Sequence, residues 1–298
     1  MTRDHVARCI VNQVKAGRGS PHGGVFLDIA WIKERMADAE AHIKRKLPSM
    51  YHQFMQLANL DITKEPMEVG PTTHYVMGGI RVDGDSQMSS IPGLFAAGEC
   101  ASGINGANRL GGNSLSDLIV FGKRAGEYAA EWARQYGETR LDESAIARCQ
   151  QTALAPFERE SDGENPYKLQ EDLQDTMQSR VGIVRTESEM REALEALDQY
   201  KERAARVGVT GQRDYHAGWH TALDLRNLLA VSEAIARCAL ERRESRGGHF
   251  RDDYPDKHDE FAKVNVMVKQ VGDTMQVSRI PVVEMPEELK QIIEEQKS

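Results

Sequence analysis

The chain has 298 residues, and its 38 Lys and Arg against 46 Asp and Glu give a formal net charge of −8. This balance argues against broad binding to DNA or RNA, which requires a positively charged face, but it leaves room for a local basic pocket that holds a small anion. No run approaches the roughly 18 consecutive apolar residues of a membrane span. The N-terminus also lacks a basic segment followed by an apolar core, so no secretory signal is predicted.

Metal-ligand patterns are weak in this sequence. The cysteines Cys9, Cys100, Cys149 and Cys238 are far apart and form no CxxC pair, which predicts neither a zinc nor an iron–sulfur site and suits a reducing compartment. His216 and His220 could share one helix face, but no third ligand is evident, so no metal site is predicted.

The first 71 residues show helical and short extended patterns. Apolar residues at helical spacing predict a first helix that ends at Gly17. Val25–Leu27 is typical of a short strand. Helical spacing from Ile29 to Lys46 and the proline at position 48 predict two further helices, the second reaching Ala58.

Residues 72–136 change character. Short apolar stretches alternate with Gly, Asp and Ser over 72–100, which predicts strand, turn, strand, turn and strand. A glycine-rich loop, GINGANRLGGNS, follows, and a long helix is predicted from Ser114 to Tyr136, capped by Asn113 or Ser114.

The remainder is mostly helical and strongly charged. Three amphipathic segments, beginning at Leu169, Glu187 and His220, can bury their apolar stripes against one another as a bundle. The arginines at 242, 243 and 246 are interpreted as a solvated helix end. Residues 261–284 have the pattern of a terminal hairpin.

An anion site is predicted where the glycine-rich loop meets the long helix. Backbone N–H groups and the helix dipole favour negative charge at that helix start, and Arg109 in the loop can fork onto a carboxylate or a phosphate. His74 lies in a segment that ends in Gly78 and Gly79, where backbone can approach a flat ligand. The residues alone equally allow a glycine turn that only packs helix on strand.

Several short sequence motifs are more specific than this pattern. HYVMGGIRVD, GLFAAGE and GANRLGGNSLSDLIVFG resemble the flavoprotein subunit of succinate dehydrogenase and fumarate reductase, as do TRDHVARCI and ESRGGHFRDDYPD, in the same order. L-aspartate oxidase has a similar HYxMGG segment, but the paired glycine in NRLGGNS favours the dehydrogenase/reductase branch. The GxGxxG with which this family binds the FAD pyrophosphate does not occur here, so the chain resembles roughly the C-terminal half of such a subunit.

The resemblance implies a mixed α+β fold. It contains a partial capping domain (1–72), the closing strands of an FAD-binding domain (73–137), a three-helix bundle domain (138–246) and a C-terminal extension (247–298). In the family, the histidine that bonds covalently to FAD and the GxGxxG that binds its pyrophosphate belong to the half that this chain does not match. The chain by itself is therefore expected to be colourless and inactive, and addition of the upstream half is expected to restore the flavin colour and the activity.

The resemblance also assigns substrate residues one by one. Arg3 matches the family's catalytic arginine, which exchanges a proton with the carbon opposite the hydride. His74 and Arg109 match the pair that holds the substrate carboxylate through charge-assisted hydrogen bonds.

Three further residues match cofactor contacts. Glu99 is expected to accept hydrogen bonds from FAD ribose hydroxyls. The backbone N–H groups of Ser114 and Leu115 are expected to stabilise negative charge on the reduced flavin ring.

The implied function is hydride transfer between succinate or fumarate and FAD, with electrons passed to an iron–sulfur subunit. The implied location is cytoplasmic, peripheral on the inner face of the plasma membrane through partner subunits and, indirectly, membrane anchors. Two alternatives stay open: a non-catalytic remnant or docking module, and an enzyme like L-aspartate oxidase acting on another dicarboxylate.

Overall fold

The computed structural model describes residues 3–137, 141–159 and 163–296. The chain divides into two compact units, Met1–His74 and Tyr75–Ser298. Within the described residues, no helix combines the length and the apolar character that crossing a bilayer requires.

The first unit packs three helices and a two-stranded sheet. Its elements are α1 (Arg3–Gln13), β1 (Val25–Leu27), α2 (Ala39–Lys46), α3 (Pro48–Ala58) and β2 (Met67–Val69). The strands pair antiparallel, with Val25 opposite Val69. A small core of Ile43, Ile62 and Met67 is buried between these elements.

The sequence predicted most of this unit. α1 continues into a wide turn in which Gly17 takes a φ of 74°, so the predicted stop is confirmed. The helix predicted over 29–46 is instead split into a 3-10 turn, Ala30–Glu34, and α2. The split has a local cause: the Asp28 carboxylate accepts from Ala30 N–H at 2.8 Å, and Arg35 N–H closes the turn onto Ile32 at 2.9 Å.

The second unit begins with a loop-rich segment in which single bridges replace the three predicted strands. The bridges join Ile80 to Ala101, Val82 to Ser89 and Met88 to Phe95. Backbone N–H groups that could pair neighbouring strands form hydrogen bonds within turns instead. Gln87 N–H donates to the Asp83 carbonyl at 3.0 Å, and Ser86 N–H donates to the Asp83 carboxylate at 2.9 Å.

Helix α4 (Asn113–Tyr136) follows the glycine-rich loop, as predicted, but its cap differs from the prediction. The N-cap is Gly112, with a φ of 85°, and it contributes no side-chain hydrogen bond. The left-handed conformation explains the glycine, because a side chain there would be strained. The start of α4 is therefore capped by neither Asn113 nor Ser114.

The bundle is confirmed. Helices α5 (Glu143–Leu154), α6 (Pro166–Arg180), α7 (Glu187–Ala204) and α8 (Ala217–Glu241) follow one another. α6, α7 and α8 share a core that includes Leu173, Leu197 and Leu229. Asn165 and Thr186 cap α6 and α7 with their side chains, which fixes where those helices start.

The terminal hairpin is also confirmed. α9 (Asp259–Ala262) leads into β3 (Val264–Val271), which pairs antiparallel with β4 (Thr274–Pro281) through a two-residue turn containing Gly272. The last described helix is α10 (Glu287–Glu295).

Candidate functional site

Arg109 lies in the glycine-rich loop, four residues before α4 begins. Its guanidinium stacks 4.5 Å above the ring of Tyr75, and Nη1 donates to the Leu110 carbonyl at 3.3 Å and the Ser114 hydroxyl at 3.4 Å. Nε is buried, and no acceptor for it lies among the described residues. Because an unsatisfied buried donor is costly, this N–H is the group in the loop that is best suited to an incoming anion.

Tyr75 packs against the Arg109 guanidinium, and Asp117 in turn accepts a hydrogen bond from Tyr75. The Tyr75 hydroxyl donates to Asp117 Oδ2 at 3.3 Å and accepts from Asn105 at 3.5 Å. Burial, and then the Asp117 carboxylate, raise the pKa of Tyr75. Sequence reasoning missed both residues, although an acidic residue inside the apolar run SLSDLIVFG was the available signal.

The start of α4 holds Ser114 and Leu115. Leu115 N–H already donates to the Gly112 carbonyl at 3.1 Å, so a ligand at that atom would have to share the bond. The Ser114 hydroxyl bonds Arg109, and the Leu115 side chain is 66% exposed. The helix start thus presents an apolar side chain beside a cation.

Glu99 lies in a short turn before the glycine-rich loop. One of its oxygens accepts from Val76 N–H at 3.0 Å. A carboxylate has about four acceptor positions, so Glu99 keeps capacity to bind hydroxyl groups.

The paired glycines after His74 serve different purposes. A Cβ on Gly79 would lie 2.7 Å from the carbonyl carbon of Cys100, so Gly79 is required for backbone packing rather than for ligand approach. Gly78 has open space around it, and only this glycine keeps the predicted freedom for a close ligand.

His74 and Arg3 belong to the first unit. His74 is the last residue of that unit and is exposed in a segment without regular secondary structure, directly before Tyr75. Arg3 is exposed in the first turn of α1. The convergence of His74 and Arg3 with Arg109 on one dicarboxylate stays a prediction.

The predicted pair His216 and His220 does not share a helix face. His216 precedes α8 and caps it: Nδ1 accepts from Trp219 N–H at 2.9 Å, and Nε2 lies 2.8 Å from the Thr210 carbonyl. No cluster of three His, Cys, Asp or Glu side chains suited to a metal occurs in the described ranges.

The arginines at the end of α8 are not a solvated helix end, which corrects that interpretation for Arg242 and Arg246. Both bond the fully buried carboxylate of Glu244, at 2.6 and 2.8 Å. Burial alone would raise the pKa of Glu244, but Arg246, His258 N–H and Arg242 together lower it to about 2. Arg243 is exposed, as expected.

His249 is a second titratable group near this helix end, and its side chain is half-buried. Its Nδ1 accepts from Arg185 Nη1 at 2.9 Å, which leaves Nε2–H to donate to the Arg242 carbonyl at 3.0 Å. Burial, and then the Arg185 charge, lower the pKa of His249 to about 4. The ring is therefore neutral at ordinary pH.

Comparison with known proteins agrees with the resemblance. Residues 1–115 match the model of an FAD binding domain, and residues 170–293 match that of the fumarate reductase flavoprotein C-term. The succinate dehydrogenase flavoprotein subunit of Coxiella burnetii is 38% identical over 86% of this chain and 45% of its own length. The fumarate reductase flavoprotein subunit of Mycobacterium tuberculosis is 35% identical over 94% of this chain and 49% of its own length.

A solved structure agrees as well. Mycobacterium smegmatis Sdh1 in complex with UQ1 superposes with a TM-score of 0.88 at 50% identity, covering 99% of this chain and 49% of that one. The chain belongs to the family of succinate dehydrogenase and fumarate reductase flavoprotein subunits. It spans about half the length of the curated relatives that it matches.

The cofactor of this family is FAD, and the residues present fit part of it. Two features fit an anionic, hydroxyl-bearing cofactor. Glu99 keeps free acceptor capacity for hydroxyl groups, and the start of α4 has no side-chain cap. The sequence contains no GxGxxG for the pyrophosphate, so this chain supplies only part of the binding surface.

Proposed function

We propose that this chain forms part of a flavoprotein that interconverts succinate and fumarate. The buried, unpartnered Nε of Arg109, in the loop before α4, carries the proposal, because it offers a charge-assisted hydrogen bond to a carboxylate. The names of the relatives supply the substrate class.

In this proposal His74 and Arg109 bind the dicarboxylate. A guanidinium fork and an imidazole fix both the position and the polarisation of the carbon–carbon bond next to the carboxylate. Tyr75, stacked under Arg109 and bonded to Asp117, limits how far the guanidinium can move. Arg3 exchanges the proton with the substrate carbon.

Glu99, Ser114 and Leu115 are the residues that we assign to FAD. When bound, FAD supplies the hydride acceptor for succinate oxidation and the hydride donor for fumarate reduction. Glu99 holds hydroxyl groups, and the start of α4 favours negative charge in front of it.

The relatives are named as subunits, and we propose corresponding partners for this chain. An iron–sulfur subunit would take the electrons, and membrane anchors would hold the assembly on the cytoplasmic face of the plasma membrane. The four-domain division at 72, 137 and 246 belongs to the same proposal.

The test begins with the purified chain. We expect no flavin absorbance near 450 nm from the chain alone, and both flavin absorbance and succinate oxidation when it is coexpressed with the portion of a relative's subunit that it does not cover. Activity on succinate rather than aspartate separates the proposal from an L-aspartate oxidase-like enzyme. A colourless coexpressed protein would favour the non-catalytic remnant.

A matched pair of variants tests the site. In Arg109→Lys the ammonium cannot make the two parallel hydrogen bonds that a guanidinium makes to a carboxylate. We therefore expect kcat/KM for succinate to fall by roughly 100-fold. Arg124→Lys is the control, because Arg124 also lies near a ring, that of Phe121, but is exposed on α4 and pairs with Asp85. Equal effects of the two substitutions would contradict the proposal.

A further inference from the structure

The loop that carries Arg109 is held from outside by a turn of the helical region. Residues 246–249, here called the glycine turn, close on themselves through hydrogen bonds between Arg246 and His249, at 2.8 and 3.1 Å. At its tip, Gly248 N–H donates to the Ala107 carbonyl at 2.9 Å. Across the described residues, this is the one backbone hydrogen bond outside helices that residues 103–109 make.

The contact requires glycine at position 247. Gly247 has a φ of 61°, and a Cβ there would lie 2.5 Å from the Ala107 carbonyl carbon and 2.8 Å from its Cβ. Real Cβ atoms do not approach backbone so closely, so any side chain at 247 would displace the loop. Gly248 is less restricted, because its Cβ would meet the flexible end of Met77.

Side-chain hydrogen bonds hold both ends of the glycine turn in place. His249 is fixed between Arg185 and the Arg242 carbonyl, and Arg246 is paired with buried Glu244. The turn therefore cannot follow a displaced loop without breaking charge-assisted hydrogen bonds in a partly buried network.

We propose that Gly247 and Gly248 are positioning residues for Arg109. The glycine turn fixes the Ala107 carbonyl two residues before Arg109, and so sets where the guanidinium meets its ligand. This inference rests on the proposed function only in taking that ligand to be a dicarboxylate. It assigns to the helical region a direct part in the geometry of the site.

Amide hydrogen exchange on the full chain tests the proposal without any ligand. Gly247→Ala is expected to speed exchange in residues 103–110 by about tenfold or more, because the loop loses its anchor. Gly272→Ala is the matched control: Gly272 has a φ of 60°, with nothing near its Cβ, so it suffers the same backbone strain without a clash. It is expected to change exchange at the hairpin turn only.

Low concentrations of urea separate local opening of the loop from global unfolding. Unchanged exchange in 103–110, or faster exchange only through global unfolding, would overturn the proposal. Should Gly247→Ala fail to fold, Gly247→Asn and Gly272→Asn replace the pair, because asparagine tolerates the left-handed conformation and keeps the clash.

Kinetics on the flavin-loaded assembly separate this inference from the proposed function. We expect Gly247→Ala to raise KM for succinate by about tenfold, with a smaller effect on kcat, while Gly272→Ala stays near wild type. A KM that responds to Arg109→Lys but not to Gly247→Ala refutes the positioning role. A KM that responds to neither refutes the proposed function, and the exchange result still decides whether the glycine turn holds the loop.

Discussion

Protonation of His249 is expected to make the protein acid-sensitive. The folded structure keeps the ring neutral, because burial and the facing charges of Arg185, Arg242 and Arg251 lower its pKa to about 4 from an ordinary 6.5. Between these values the unfolded chain binds more protons than the folded one, so stability falls as the pH falls from 6.5 to 4. At ~1.4 kcal/mol per pH unit, the loss is about 3 kcal/mol.

The substitution His249→Gln removes the titration but keeps the hydrogen bonds. A glutamine side chain can accept from Arg185 and donate to the Arg242 carbonyl, as the neutral imidazole does. We therefore expect the variant to be less stable than wild type by about 1 kcal/mol at pH 7. By pH 4 the order should be reversed.

Urea unfolding followed by far-UV circular dichroism, at pH 7, 6, 5 and 4, measures the difference between wild type and variant. Other groups, including Glu244, titrate alike in both proteins and cancel in that difference. His220→Gln is the control, because it makes the same replacement at a histidine that is exposed on α8. A difference between wild type and His249→Gln that stays constant from pH 7 to 4 would refute the assigned neutral ring.

Two further pairs of substitutions test the packing of the second unit. Leu229→Ala should lower the free energy of unfolding by about 3 kcal/mol, because Leu229 is 3% exposed in the bundle core. Leu228→Ala, at the neighbouring residue that is 37% exposed, should lower it by less than about 1 kcal/mol. Glu244→Gln should cost about 3 kcal/mol, because it removes the fully buried carboxylate that pairs with the half-buried Arg242 and Arg246. Glu241→Gln breaks only the exposed pair with Arg279 and should cost under about 1 kcal/mol. Urea unfolding measures all four, and equal effects within either pair would contradict the burial described.

The strong local signals of the sequence determined the regular elements. Amphipathic spacing was sufficient to predict the bundle, and the strand pattern of residues 261–284 was sufficient to predict the β3–β4 hairpin. The side-chain caps at Asn165 and Thr186 were seen only in the structure. Proline at position 48 fixed the start of α3. In each case neighbouring residues supply the interactions that decide the element.

Prediction was wrong where local competition decides. Turn bonds of Asp83 and Gln87 replace the strands expected before Cys100, and Gly112 takes the cap assigned to Asn113 or Ser114. The spacing of apolar residues predicts strands, but it does not show which backbone N–H group will donate a hydrogen bond to a nearby carboxylate.

The sequence, through the motifs it shares with its family, predicts that Arg109 belongs to a ligand site, but only the tertiary structure shows what surrounds it. Tyr75 beneath the guanidinium and Gly248 on the Ala107 carbonyl come from segments 34 and 139 or more residues away. The same holds for His249, whose neutral state depends on Arg185. Such contacts are set by packing between distant segments, and no spacing along the chain encodes them.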